Sequence, residues 1–175
     1  FRLVSTGDSS LQWILGAYYL GADRDQVSGL FYEDIIAYFG FPGAPGLFEH
    51  SVSSQKTTSA SIFGELTFAL TDQLSITAGG RYLREEKNLD YNHQITQALG
   101  FGLFAPLQTF DLKNKYSDFL PKLSASYELD NGLVYATVSK GLKGGGFNTE
   151  FLADPGVNDP NELFGYAPEE IWNYE

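Results

Sequence analysis

The chain has 175 residues, a net charge of −11, no Cys, and 15% aromatic residues, among them 11 Tyr and 14 Phe. That length fits one ordinary domain, and the absence of Cys excludes a disulfide framework and thiolate metal sites. The acidic balance argues against a nucleic-acid partner, because such a protein must present positive charge to displace counterions.

No stretch approaches about 18 consecutive apolar residues, and the longest run, Trp13 to Ala22, has about ten. Membrane-spanning helices are therefore not expected. Spanning β-strands are not excluded, because a tilted strand needs only ~9–11 residues and only alternate ones must be apolar. With Phe1 at the start and no Met, the chain reads as a piece of a longer one, in which a missing signal peptide carries little meaning.

In chain order, hydrophobicity alternates with a period of two. Phe1–Ser5 and the more apolar Leu11–Leu20 come first. From Ala60 to Leu70 the even positions are Ala60, Ile62, Gly64, Leu66, Phe68 and Leu70, opposed by Ser61, Glu65 and Thr67. From Leu74 to Arg84, Leu74, Ile76, Ala78, Gly80 and Tyr82 oppose Ser75, Thr77, Gly79 and Arg81. From Phe119 to Leu129, Leu123, Ala125, Tyr127 and Leu129 oppose Lys122, Ser124, Ser126 and Glu128. Val134–Ser139 is β-branched with ambiguous parity. Antiparallel strands are expected near 1–5, 11–21, 57–71, 74–91, 116–130, 132–147 and 169–175.

The connections alternate in length. Thr6–Ser9, Thr71–Gln73 and Asp130–Gly132 are tight, and Asn131-Gly132 is a strong hairpin signal. Long connections lie at about 22–56, 92–115 and 148–168. Outer-membrane barrels place short turns on the periplasmic side and long loops outside, whereas soluble sandwiches scatter their loop lengths. Strands of 14 to 18 residues, such as 74–91, exceed the usual five or six and suit a barrel that projects above its membrane. Tyr18, Tyr19, Tyr82, Tyr116, Phe119 and Tyr135 lie near strand ends, where aromatic girdles form. The expected fold is therefore all-β: an antiparallel up-and-down transmembrane β-barrel segment, with outer-membrane lipid against its apolar face. Leu66, Phe68, Ile76, Tyr82, Leu123 and Tyr127 should share that face, with Arg81, Glu65, Lys122 and Ser124 turned inward.

Three segments resemble one family. Phe63-Gly64-Glu65, a tight turn and a strand ending Gly79-Gly80-Arg81-Tyr82 recur together in the barrels of TonB-dependent receptors. Tyr135-Ala-Thr-Val-Ser-Lys-Gly-Leu-Lys-Gly-Gly-Gly-Phe-Asn148 is similar to the family's "YATYSKGFKPGGFN", with Gly144 where Pro is common. Tyr166 to Glu175 resembles the start of the family's next strand. The resemblance covers nearly the whole chain apart from the long loops. It implies a part of a 22-stranded barrel with a plugged lumen, bacterial outer-membrane localisation, and uptake of an iron–siderophore complex or similar scarce nutrient, energised through TonB. The plug and the TonB-contacting segment would precede Phe1, and residues 1–175 would be a partial barrel lacking plug and barrel C-terminus. At about 25 residues per strand, the full barrel needs on the order of 550 residues, so an open curved sheet is expected. A passive porin-like channel and a soluble β-sandwich binding module are the alternatives.

Site residues divide into two groups. Arg81, Glu65, Lys122 and Glu128 on the polar faces either contact a plug or polar ligand, or simply line a hydrated wall. Phe31, Tyr32, Tyr38, Phe39 and Phe41, with Phe48, either clasp a flat, partly apolar ligand or form a small loop core with a short helix at Glu33–Tyr38. Lys140–Gly146 lacks the Gly-Lys-Ser/Thr of a phosphate loop, and its glycines fit a strand end or bulge. Asp154, Asp159 and Glu162 share an acidic loop that either offers oxygens to calcium or, lacking EF-hand spacing, is simply solvated, with the second reading favoured; His50 and His93 are isolated, so no metal site is expected. No catalytic triad or carboxylate pair stands out. Neither enzyme activity nor a cofactor is expected.

Overall fold

The computed structural model describes residues 1–31, 48–96, 108–149 and 159–175. Seven strands form one antiparallel sheet: Arg2–Val4 (β1), Leu11–Phe31 (β2), Phe48–Ala69 (β3), Leu74–Thr96 (β4), Gln108–Leu129 (β5), Gly132–Lys143 (β6) and Glu169–Tyr174 (β9). Their spatial order is β1-β2-β3-β4-β5-β6-β9, an up-and-down meander. Two short strands, Gly146–Phe147 (β7) and Gly165–Tyr166 (β8), pair with each other, and a short helix, Pro160–Phe164 (α1), precedes β8.

The expected strands are all present, but the one expected at 132–147 stops at Lys143, and β2 to β5 are longer than the alternation indicated, at 21 to 23 residues each. Most of 22–56 and 92–115 is therefore strand. The reason is compositional. Asp23 to Gln26 pairs with Ser53 to Lys56, and both faces there are polar, so the hydrophobic period vanishes while the backbone ladder continues. The hairpin at 130–132 also differs in detail. Leu129 pairs with Gly132, so Asp130 and Asn131 form the turn and Gly132 opens the next strand. Neither turn residue has positive φ, which excludes the Asn-Gly type I′ geometry. At the first turn Gly7 supplies the required positive φ, 103°.

Directly opposed residues in antiparallel strands share a face, so the register sorts the side chains. Leu66, Phe68, Ile76, Tyr82, Leu123 and Tyr127 share one face, as expected, and the β6 parity resolves with Val134, Ala136 and Val138 joining them. In β2 the same face carries Leu11, Trp13, Leu15, Ala17 and Tyr19. Arg81, Glu65, Lys122 and Ser124 share the other face. Tyr18, Tyr116 and Tyr135 also fall on this polar face, so the girdle row on the apolar face is Tyr82 and Phe119, with Tyr19 one row further out, in register with Ala60 and Arg84.

From the tight turns up to that row, the apolar face of β2 to β5 carries no charged residue. Its large side chains are exposed, including Leu15, Ile62, Leu66, Leu123 and Tyr127. A soluble sandwich covers such a face with a second sheet, and among the described residues nothing covers this one. From Leu74 to Tyr82 the band runs about 27 Å at ~3.4 Å per residue, or roughly 20 Å in height after a ~40° tilt, which matches the apolar band of a spanning barrel.

The strands β1 and β9 lie at opposite edges and do not pair, so the sheet is open. Open edges leave rows of N–H and C=O groups without partners. The isolated 175-residue chain is therefore expected to aggregate in aqueous buffer. Size-exclusion chromatography without detergent checks this; a monodisperse monomer would contradict it.

Candidate functional site

The polar face is built in rows. Lower rows are hydroxyl ladders: Thr67 and Thr77 Oγ1 lie 2.9 Å apart, Ser75 and Ser126 Oγ 2.7 Å, and Ser124 Oγ and Thr137 Oγ1 2.7 Å. Above them Glu65, Gly79 and Lys122 occupy one row on three successive strands. Lys122 Nζ donates to Glu65 Oε2 at 3.0 Å, across the strand between them. Gly79 makes that crossing possible: a Cβ there would lie 2.9 Å from Gly64 O and 3.2 Å from Glu65 Cγ. A cleft of 410 Å³ opens at this level, lined by Phe63, Glu65, Arg81, Leu120, Lys122 and Lys140 among others.

Arg81 is distinct among the cations of this cleft. Lys122 is paired with Glu65, and Lys140 with Asp118 at 2.7 Å and Glu170 at 3.1 Å. The Arg81 guanidinium has no carboxylate partner among the described residues, and its buried Nε makes no hydrogen bond there. It instead lies 5.8 Å from the Tyr18 ring centroid, a cation–π contact.

Towards the long-loop end the polar face becomes apolar. Leu89 and Tyr91 of β4 and Leu112 of β5 are buried with Phe147 and Phe164, flanked by Phe110 and Leu163. Phe164 sits 4.8 Å from the Tyr91 ring and 5.6 Å from Phe110. Phe147, Leu163 and Phe164, which follow β6, thus pack back over β4 and β5. Lys87 Nζ donates to Gly145 O at 2.6 Å, and Tyr116 Oη to Tyr166 O at 3.4 Å. The Gly144–Gly146 run lets the backbone come this close: a Cβ on Gly145 would lie 2.6 Å from both the Tyr116 ring and Tyr166 O. Burial pushes the Tyr116 phenol above its usual pKa.

The sequence reading missed this cluster, although a signal was present. Asp159-Pro160-Asn161-Glu162 has the helix-start pattern of capping residue, Pro and Glu. Asp159 Oδ1 accepts from Asn161 N at 2.8 Å, so the carboxylate considered for calcium caps α1 instead. Asp154 lies outside the described residues, as do Tyr32, Tyr38, Phe39, Phe41 and the whole of the short helix considered at 33–38. Phe31 ends β2, opposite Phe48 in register, at the long-loop end.

On the apolar side, beyond Tyr82 and Phe119, charge appears. Glu86 is held by Lys113 and, at 3.3 Å, by Lys115. The Lys113 ammonium chiefly, with Lys115, lowers the Glu86 pKa to about 2.

Comparison with known proteins agrees with this architecture. The model of the TonB-dependent receptor-like β-barrel family matches residues 2–175. Among solved structures, the ferric yersiniabactin uptake receptor FyuA of Yersinia pestis superposes with a TM-score of 0.66 at 18% identity, over 99% of this chain and 24% of that one. At that identity the likeness speaks to the fold, and the chain spans about a quarter of the receptor's length. The family match extends over nearly every residue, and the open meander with one uncharged apolar wall is what a segment of such a barrel requires: the chain belongs to the TonB-dependent receptor β-barrel family.

Proposed function

We propose that this chain is the middle-to-late barrel of a bacterial outer-membrane receptor that takes up an iron–siderophore complex or similar scarce nutrient, energised through TonB. The observation that carries the reading is an uncharged apolar wall backed by a polar wall, in a barrel segment of the TonB-dependent receptor family. The ferric yersiniabactin receptor, with the same fold, supports a ferric chelate as the substrate class. In this reading the plug and TonB-contacting segment precede residue 1. Arg81 contacts the plug or an anionic ligand from the wall. Phe31 at the end of β2, with Tyr32, Tyr38, Phe39 and Phe41 in the sequence between β2 and β3, clasps the ligand.

The test uses the full-length protein in a receptor-deficient strain under iron limitation. Uptake of iron-labelled siderophore is expected in a TonB-positive host and not in a TonB-negative one; equal uptake in both would point to a passive channel. Replacing Tyr32, Tyr38 and Phe39 together by Ala is expected to weaken siderophore binding by about tenfold or more, since buried aromatic contacts contribute roughly 1 kcal/mol each. Unchanged affinity would leave those rings to a local loop core.

A further inference from the structure

β5 and β6 are joined over only part of their height. On one side β5 pairs with β4 from Leu74↔Tyr127 to His93↔Gln108, almost its whole length. On the other it pairs with β6 only from Leu129↔Gly132 to Lys122↔Ser139. β6 runs on to Lys143 with β9 as its far-side partner, from Val138↔Tyr174 to Lys143↔Glu169. From Gln108 to Pro121, therefore, the β6-side edge of β5 has no strand beside it among the described residues.

Local chemistry accounts for where the split starts. Glu128 N–H donates to Gln73 O, on the β4 side. Backbone groups of successive residues alternate between the two neighbours, so even-numbered residues of β5 point to β4 and odd-numbered ones to β6. Pro121 is the first odd position above the last pair, and it has no N–H to donate. Phe119 is the next, and its N–H donates to Asp118 Oδ1 at 2.7 Å. The same carboxylate accepts from Lys140 Nζ, which lies 2.9 Å from Oδ1 and 2.7 Å from Oδ2. Lys140 also reaches Glu170 Oε1 of β9 at 3.1 Å. These three side chains tie β5, β6 and β9 together at the base of the split. Above them a cleft of 450 Å³ lies between Tyr116 and Ser117 on β5 and Leu142 and Glu170 on β6 and β9. Phe119 belongs to the girdle row, so the split begins where the apolar band ends. Below that level hydrocarbon leaves no alternative to a closed ladder, whereas above it water can satisfy an open edge. Parting the strands below Lys122 would break ladder hydrogen bonds at each step. Parting them above it breaks one ionic cluster.

We propose that this split is a side gate in the barrel wall, latched by Asp118, Lys140 and Glu170. When the latch parts, the upper ends of β6 and β9 swing away from β5 and widen the long-loop mouth, while the spanning band stays zipped. Gly144 and Gly145 link β6 to β7, so β6 can move while Phe147 and Phe164 stay packed on β4 and β5. The gate depends on the spanning fold and is independent of what the barrel carries.

The test uses the full-length receptor in phospholipid vesicles, with spin labels on cysteines replacing Lys115 and Glu169, on opposite sides of the cleft. The native latch is expected to give one short distance. K140Q and D118N are each expected to raise the ratio of a second, longer distance by about tenfold or more, the loss expected for a hydrogen bond between charged groups. K140R, which keeps the cation, is expected to stay closed. A second label pair at Arg84 and Lys115, across the continuous β4–β5 ladder, is expected not to change in any variant. An unchanged distance in both K140Q and D118N, or equal widening across the β4–β5 pair, would overturn the gate. Slow hydrogen exchange at the Lys115 and Ser117 amides would show another segment paired along that edge and equally overturn it.

Discussion

Leu123→Arg in the full-length protein is expected to destabilise the lipid-inserted barrel by about 2–4 kcal/mol, whereas Ser124→Arg is expected to cost only about 0.5–1.5 kcal/mol. Leu123 is 53% exposed and lies between Ala78 and Val138 on the uncharged face. In water such a site would accept Arg without penalty. In hydrocarbon the guanidinium loses its hydration, and no acidic neighbour on this face compensates it. Ser124 points to the polar wall, where substitution forfeits only its 2.7 Å contact with Thr137. Urea unfolding of the refolded protein in phospholipid vesicles measures both. Equal costs, or a larger cost at 124, would mean that the lipid-facing wall has been assigned to the wrong parity.

The same parity argument shows what was legible in the sequence. Wherever one face is apolar, as in Ala60–Leu70 or Leu74–Tyr82, a one-residue slip would turn every Leu and Ile to the polar side, so alternation alone specifies strand and face. Above the girdle row that information disappears. Asp23, Lys56, Asn88 and Lys113 share the outward face, while Arg24 and Gln55 share the other, and neither sequence pattern nor composition distinguishes such a ladder from a loop. Hence the strand extensions went unseen. The girdle was half legible for a related reason: Tyr18 and Tyr19 are adjacent, and only the register shows which of them faces lipid. The Glu65–Lys122 pair was legible as two polar-face residues, but not as a contact, because it spans a strand whose contribution is an absent side chain at Gly79. The Arg81 guanidinium was legible as a candidate by position. Its lack of an anionic partner among the described residues depends on how the neighbouring lysines pair, which no spacing rule encodes.

The aromatic cluster at the long-loop end supports the second large effect. Phe164→Ala is expected to cost about 3–5 kcal/mol, because Phe164 is only 1% exposed and packs on Tyr91 and Phe110. That cost should appear locally. The side chain anchors α1 and the β7–β8 pair to β4 and β5, and it contributes nothing to the lipid-facing wall. The global unfolding midpoint is therefore expected to stay within error of wild type, while opening of the β7–β8 pair and α1 becomes on the order of a hundredfold or more easier. Hydrogen exchange of the Asn148 amide, which donates to Phe164 O at 2.8 Å, reports that opening directly. Gly145→Ala should reach the same detached state from the opposite direction, since its Cβ would collide with Tyr166 O and the Tyr116 ring at 2.6 Å. A matching rise in exchange for both variants, with an unchanged global midpoint, identifies the folded-back segment as a separate cooperative unit. A fall in the global midpoint as large as the local effect would instead make the cluster part of the barrel's own core.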